Sequence, residues 1–310
     1  MEALSSEEAG LALLRALAAL GYAFVPVTPE THKRVVARPA KERALDLRDA
    51  FGWSLEFDED LLPQNLFATL RDGGLVEPSG RGWKSKVRVS EVSGRLFLHS
   101  AFPTVQDDSI FLGPDSIRFA SFLEAELVGA PRVRRLVDIG AGAGVGGIVA
   151  AALLPGAAIE LVDVNEKALG FAQINAEHAG IRVSTYLSDG VAAVAPGFDL
   201  AIANPPFLID EDGPTYRAGG GMHGAELSLD WALGAAAKLA SGGRMLLYTG
   251  SAIVAGRDAL REALEAELPT RRCSLAYREI DPDIFGEELE KPAYRDVERI
   301  AAVWAVIVKE

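Results

Sequence analysis

The chain has 310 residues, 49% hydrophobic and 24% charged, the make-up of a globular protein with a sizeable core rather than of a disordered or fibrous chain. No run reaches the ~18 uncharged apolar residues of a membrane span; the longest, over 145–154, is broken by glycines. A net charge of -13, with most of the acidic excess in the C-terminal part, argues against sequence-blind binding to a phosphate backbone, which depends on Lys and Arg displacing counterions.

A single cysteine, Cys273, leaves no intrachain disulfide and no cysteine metal cluster. The four histidines, His32, His99, His178 and His223, are scattered, so no metal is expected. The beginning of the chain carries Glu2, Glu7 and Glu8 where a signal or transit peptide would be basic, and a cytoplasmic protein is expected.

In chain order, Ser5 and Ser6 followed by Glu7 and Glu8 open a helix over 6–20 that ends at Gly21. Further helices are expected over about 41–51 and over 61–72, the latter closed by Gly73 and Gly74. Partial alternation over 83–92 and 95–99, about a Ser-Gly turn, predicts a hairpin. Helices followed by a hairpin bearing Arg81, Lys84, Lys86 and Arg88 suggest a winged-helix-like accessory unit over residues 1–105, with the joint near 101–114 and the main domain over 106–310.

From Arg134 onward strands and helices alternate. Strands are expected over 135–139, 158–164, 181–188, 198–203 and 244–249, with helices over 145–154, 166–179, 225–240 and 257–268. This calls for an α/β fold, a doubly wound parallel sheet of about seven strands covered on both faces. The last two strands, over 274–280 and 300–308, have no helix of comparable length between them and predict a closing antiparallel hairpin.

Four turns at the strand ends carry the chemistry. The first, Asp138-Ile139-Gly140-Ala141-Gly142-Ala143-Gly144, lets backbone approach a ligand at a helix N-terminus. With Gly147 it also fits the dinucleotide fingerprint, so alone it does not separate NAD from S-adenosylmethionine. The second, Asp163-Val164-Asn165, places a carboxylate where it can accept both ribose hydroxyls of either cofactor. The third, Ser188-Asp189-Gly190, offers Asp189 to an adenine amino group. The fourth, Asn204-Pro205-Pro206-Phe207, suits a planar, weakly nucleophilic nitrogen: the Asn204 oxygen and the Pro205 carbonyl can accept its two N–H bonds, two prolines stiffen the backbone, and Phe207 offers a stacking face.

At these residues the chain resembles the class I S-adenosylmethionine-dependent methyltransferases of the "methyltransferase small" group, over roughly 113–308. The resemblance is to enzymes whose fourth motif is Asn-Pro-Pro-aromatic: release-factor glutamine, ribosomal RNA guanine-N2 and adenine-N6 methyltransferases. It implies S-adenosyl-L-methionine, leaving as S-adenosyl-L-homocysteine, at Asp138, Gly140, Ala141, Gly142 and Gly144, at Asp163, Val164 and Asn165, at Ser188, Asp189 and Gly190, and beside Asn204. Asn204, Pro205, Pro206 and Phe207 would hold the target nitrogen. Glutamine methyltransferases usually carry tyrosine in place of Phe207, and the guanine-N2 group histidine in place of Leu208, so the substrate stays open.

Residues 209–221, with Tyr216, Arg217 and three consecutive glycines, are a candidate substrate flap. His223 and Glu226 could pass for an acid–base pair, although first-turn glutamate is common for dipole reasons. Residues 281–289 are expected over the same sheet edge, as a substrate wall or a dimer contact. The basic hairpin favours an RNA or other nucleic-acid base as target, ahead of a protein glutamine. An NAD-dependent oxidoreductase and a silent cofactor-binding module are the remaining readings; neither gives a reason for the Asn-Pro-Pro-Phe turn.

Overall fold

The computed structural model describes residues 5–209 and 218–310. Four helices, α1 (Ser6–Ala19), α2 (Pro29–Val36), α3 (Leu47–Phe51) and α4 (Gln64–Asp72), precede two antiparallel hairpins. One pairs β1 (Val76–Ser79) with β2 (Gly82–Ser85), the other β3 (Val87–Val92) with β4 (Arg95–Ser100). The α1 start is a reciprocal capping box: the Glu8 N–H donates to Ser5 Oγ, and the Ser5 N–H donates to the Glu8 carboxylate.

Three local expectations are corrected here. α2, capped by Thr28 with Pro29 in its first turn, has no counterpart in the expected elements. The helix expected over 41–51 forms only as α3, because Asp46 caps the chain at Leu47. The strand expected over 83–92 breaks at Lys86, whose N–H bonds back to the Leu75 carbonyl at 2.9 Å.

The remaining elements are α5 (Pro114–Leu127), β5 (Arg135–Ile139), α6 (Val145–Leu153), β6 (Ala158–Asp163), α7 (Glu166–His178), β7 (Val183–Leu187), β8 (Phe198–Ala203), α8 (Glu226–Lys238), β9 (Leu239–Val254), β10 (Arg257–Asp258), α9 (Ala259–Glu267), β11 (Cys273–Asp281) and β12 (Arg299–Lys309). They build one sheet in the order β11-β12-β9-β8-β5-β6-β7, with the short β10 paired to β9. β9, β8, β5, β6 and β7 run parallel, and β12 is antiparallel to both β9 and β11. This is the Rossmann-like α/β fold with the closing hairpin. Its inner strands are mostly apolar because both faces are covered: Leu136, Leu200 and Leu246 pack under α5 and α6, while Val137, Ala201 and Leu247 pack under α8 and α9. The order reverses at β5, so the turns after β5, β6, β7 and β8 converge on one edge, where open sheets bind ligands.

The N-terminal elements are packed onto this sheet unit. The core of α1, α3, α4 and the hairpins includes Ile174 of α7. Asn175, fully buried on α7, accepts the Leu98 N–H at 2.7 Å and donates to the carbonyls of Leu98 and Ala143, tying β4 to the glycine turn. The same packing corrects the reading of Arg88 as a surface cation. Its side chain is buried, donates from Nε to the Gly52 carbonyl at 2.9 Å and lies over the Phe24 ring. Burial pulls its pKa down to about 10, against the usual 12.5. Arg81 and Lys86 remain exposed.

Among the described residues no helix is long and apolar enough to cross a membrane, and no group of three or more His, Cys, Asp or Glu could hold a metal ion.

Candidate active site

The four turns enclose a cavity of about 540 Å³. Asp138, Gly140, Ala141 and Gly142 line it from the first turn, Asp163, Val164 and Asn165 from the second, Ser188, Asp189 and Gly190 from the third, and Asn204, Pro205, Pro206 and Phe207 from the fourth. Gly144 does not. It is the left-handed cap of α6, and its backbone turns toward Ala172 and Ile148. Tyr216 and Arg217 lie outside the described residues.

The carboxylates close the glycine turn. Asp163 accepts the Gly142 N–H at 2.8 Å and the Asn165 N–H at 2.9 Å. Asp138 accepts the Gly147 N–H, in the first turn of α6, at 2.7 Å. Burial raises Asp163 above the usual carboxylate range although these amides pull it down. Burial, with help from the charge of Asp163, pushes Asp138 up to about 7, against the Gly147 N–H that lowers it.

The Asp138 value carries a stability prediction. In the unfolded chain its carboxyl loses its proton near 3.8, and in the folded chain near 7. Between these values the folded state binds more protons, so the contribution of Asp138 to stability falls as pH rises through that window. Asp138→Asn cannot ionise and can still accept the Gly147 N–H. Its melting temperature, compared with that of the parent protein at pH 5 and pH 8, should gain on the parent as pH rises; a constant difference would contradict the assignment.

Several side chains at the site are spent on the scaffold. The Asn165 amide caps α7 through Lys167 N–H and donates to the Asp108 carbonyl. The Ser188 hydroxyl accepts the Ala193 N–H. His223 pairs with Asp296 at 3.1 Å, and Glu226 accepts the Gly221 N–H at 2.7 Å; neither lines the cavity. By contrast, the half-buried Asn204 amide makes no hydrogen bond among the described residues, which leaves its donor and acceptor for a ligand.

The cavity has walls that the turns do not account for. Trp231 of α8 lies under the first and third turns: a Cβ on Gly140 would come within 2.3 Å of its ring, and one on Gly190 within 3.4 Å. Gly140, at φ 68°, is therefore glycine for space as well as for conformation. The Trp231 indole Nε1 is buried without a partner among the described residues. Phe207 meets Phe285 edge to face at 5.7 Å, so the loop before β12 does form a wall, with Glu287 and Glu288 beside it. Pro29, Glu30 and Lys33 reach the cavity from α2. Aromatic and acidic residues carry no periodic signal of their own, and Trp231 sits in an Ala- and Leu-rich helix where a core role is the default expectation.

The described lining is strongly acidic: Glu30, Asp107, Asp115, Asp138, Asp163, Asp189, Glu287 and Glu288 stand against one base, Lys33, itself paired with Glu30 at 2.8 Å.

A glycine turn closed by carboxylates at the switch point of a doubly wound sheet, with an Asn-Pro-Pro-aromatic turn on the next strand, defines the class I methyltransferase architecture. Residues 113–265 match the family model of the methyltransferase small domain. Similar curated proteins are the ribosomal RNA small subunit methyltransferases C. That of Hahella chejuensis is 47% identical over 24% of this chain and 22% of its own length. That of Shewanella baltica strain OS155 is 41% identical over 46% of this chain and 39% of its own. The chain thus spans between a fifth and two fifths of these relatives. Among solved structures, a 16S ribosomal RNA guanine-N2 methyltransferase of Thermus thermophilus with AdoMet and guanosine is 18% identical, with a TM-score of 0.47, covering 83% of this chain and 64% of that one.

Proposed function

We propose that the protein transfers the methyl group of S-adenosylmethionine to a planar amino nitrogen of an RNA base. The observation that carries the reading is the free Asn204 amide, on a stiff turn, in a cavity whose glycine turn is closed by Asp138 and Asp163. A dinucleotide would need the amides of Gly142 and Gly147 for its pyrophosphate, and carboxylates already hold both. An acidic lining opposes two phosphates and suits a cofactor with a sulfonium and an ammonium.

When bound, S-adenosylmethionine supplies an electrophilic methyl group. The chain's own residues do the positioning. Asp163 accepts the ribose hydroxyls through lone pairs its amide donors leave open, and Asp189 accepts from adenine. Val164, 52% exposed beside Asp163, gives the base an apolar face. Asn204 Oδ1 and the Pro205 carbonyl accept the two N–H bonds of the target, which turns its lone pair toward the methyl, and Phe207 stacks on the ring that bears it. Asp163→Ala removes two charge-assisted bonds and should weaken S-adenosylhomocysteine binding about 10²-fold by calorimetry; an unchanged Kd would remove Asp163 from the site.

RNA as target is supported by the name shared by the curated relatives and by exposed Arg81, in the β1–β2 turn, and Lys86, between the two hairpins. Residues 1–105 then act as the recognition unit and 106–310 as the catalytic one. The test is methyl transfer from labelled S-adenosylmethionine to an unmodified small-subunit ribosomal RNA transcript, with a bacterial protein extract in parallel. Label in an N-methylated base of the RNA is expected; label only in protein glutamine would overturn the choice of target.

A further inference from the structure

Asp115, one of the acidic residues of the cavity lining, has its side chain 12% exposed. The Tyr248 hydroxyl donates to its Oδ1 at 2.5 Å and Arg118 Nη1 to the same oxygen at 3.2 Å, which leaves Oδ2 without a side-chain donor among the described residues. Two observations place this carboxylate at the reacting end of the cavity. The β8–β9 register pairs Ala203, the last residue of β8 and the one before Asn204, with Leu247, the residue before Tyr248. Two residues on, a Cβ at Gly250 would come within 2.3 Å of the Phe207 ring, so the Asn-Pro-Pro-Phe turn folds over the strand that holds Asp115 in place.

We propose that Asp115 is a catalytic residue: its Oδ2 faces the target nitrogen, stabilises the positive charge that develops there, and takes the proton the nitrogen sheds. This rests on the reading of the site as a methyl-transfer centre. The nitrogen lone pair forms the bond to the methyl carbon while the carbon–sulfur bond breaks with its electrons to sulfur. The nitrogen, now cationic, gives one proton to Asp115, which passes it to water. Tyr248 and Arg118 fix the carboxylate's orientation. Around it stand Tyr248 from β9, Arg118 from its own helix and Asp281 of β11 behind Arg118 at 3.4 Å, with Asp138, Glu287 and Glu288 on the same cavity. Burial raises Asp115 above the usual carboxylate range, while Tyr248 and Arg118 pull it back. The Tyr248 phenol is itself held above its ordinary range by burial, so it stays a donor.

The test needs no substrate. Sinefungin carries an amino group where S-adenosylmethionine carries its methyl, whereas S-adenosylhomocysteine carries nothing there. Calorimetry at pH 8 should find sinefungin bound about tenfold or more tightly than S-adenosylhomocysteine, a charge-assisted hydrogen bond's worth of preference. Asp115→Asn should bring the ratio to within about twofold while S-adenosylhomocysteine affinity and melting temperature hold. Tyr248→Phe, which removes a donor that lowers Asp115, should keep the preference at pH 8 and lose it at a higher pH than the parent does as acid is added; this variant decides the question if Asp115→Asn does not fold. A preference for sinefungin that survives Asp115→Asn, or one with the same pH dependence in Tyr248→Phe, would overturn the role of Asp115 alone. Failure of S-adenosylhomocysteine to bind the parent protein would overturn the methyl-transfer reading and this role with it.

Discussion

Asn204→Ala should lower the methyl-transfer rate about 10³-fold and leave the Kd for S-adenosylhomocysteine within about threefold. The size follows from what the side chain does. Its oxygen accepts an N–H of the target only when that nitrogen is turned for attack, so the loss falls on kcat more than on cofactor binding. The scaffold has no other use for the side chain, since it makes no hydrogen bond among the described residues, and the Pro205-Pro206 backbone keeps its shape without it. A melting temperature within a degree or two of the parent would exclude unfolding as the cause. Full activity in this variant would contradict the assignment of the turn.

Asn175 should give the largest effect on stability. Replacing it with alanine strands the Leu98 N–H and the carbonyls of Leu98 and Ala143 in the interior, at a cost of about 2–4 kcal/mol. The substitution Asn175→Asp would be worse, because both amide donors become acceptors facing carbonyls and a charge is buried without a partner. Because Ala143 belongs to the glycine turn, Asn175→Ala should also weaken S-adenosylhomocysteine binding, in a variant that touches no ligand. Urea unfolding of Asn175→Ala and Asn175→Asp checks the order; equal loss in both would mean that the amide donors are not what holds β4 to the turn.

The sheet unit was largely legible because a parallel sheet covered on both faces writes its strands as mostly apolar runs, and each return helix brings the next turn to the same edge. Asp138, Asp163, Asp189 and Asn204 could therefore be placed together without any contact information, and all four line the cavity. Spacing alone could not say which turn residues the scaffold consumes. Gly144 turns away as the α6 cap, and the side chains of Asn165 and Ser188 are already engaged.

The N-terminal third was legible only in part, for a different reason. α1 and α4 fall within the helices expected over 6–20 and 61–72, whereas α2 and α3 are short and set by the local caps Thr28 and Asp46, and periodicity has little length over which to register in them. Arg88 shows the limit of reading charge as surface: a guanidinium can be buried when a carbonyl and an aromatic face receive it. The reach of α2 into the cavity, and the place of Asp115 on the same cavity with its carboxylate held by Tyr248, are products of tertiary packing that no local pattern encodes.

The central claim is that the cavity holds a methyl donor and not a dinucleotide. A calorimetric titration of the purified protein with S-adenosylmethionine, S-adenosylhomocysteine and NADH in parallel tests it most directly. Binding of the first two in the micromolar range, with no heat from NADH, is the predicted result; binding of NADH alone would contradict it.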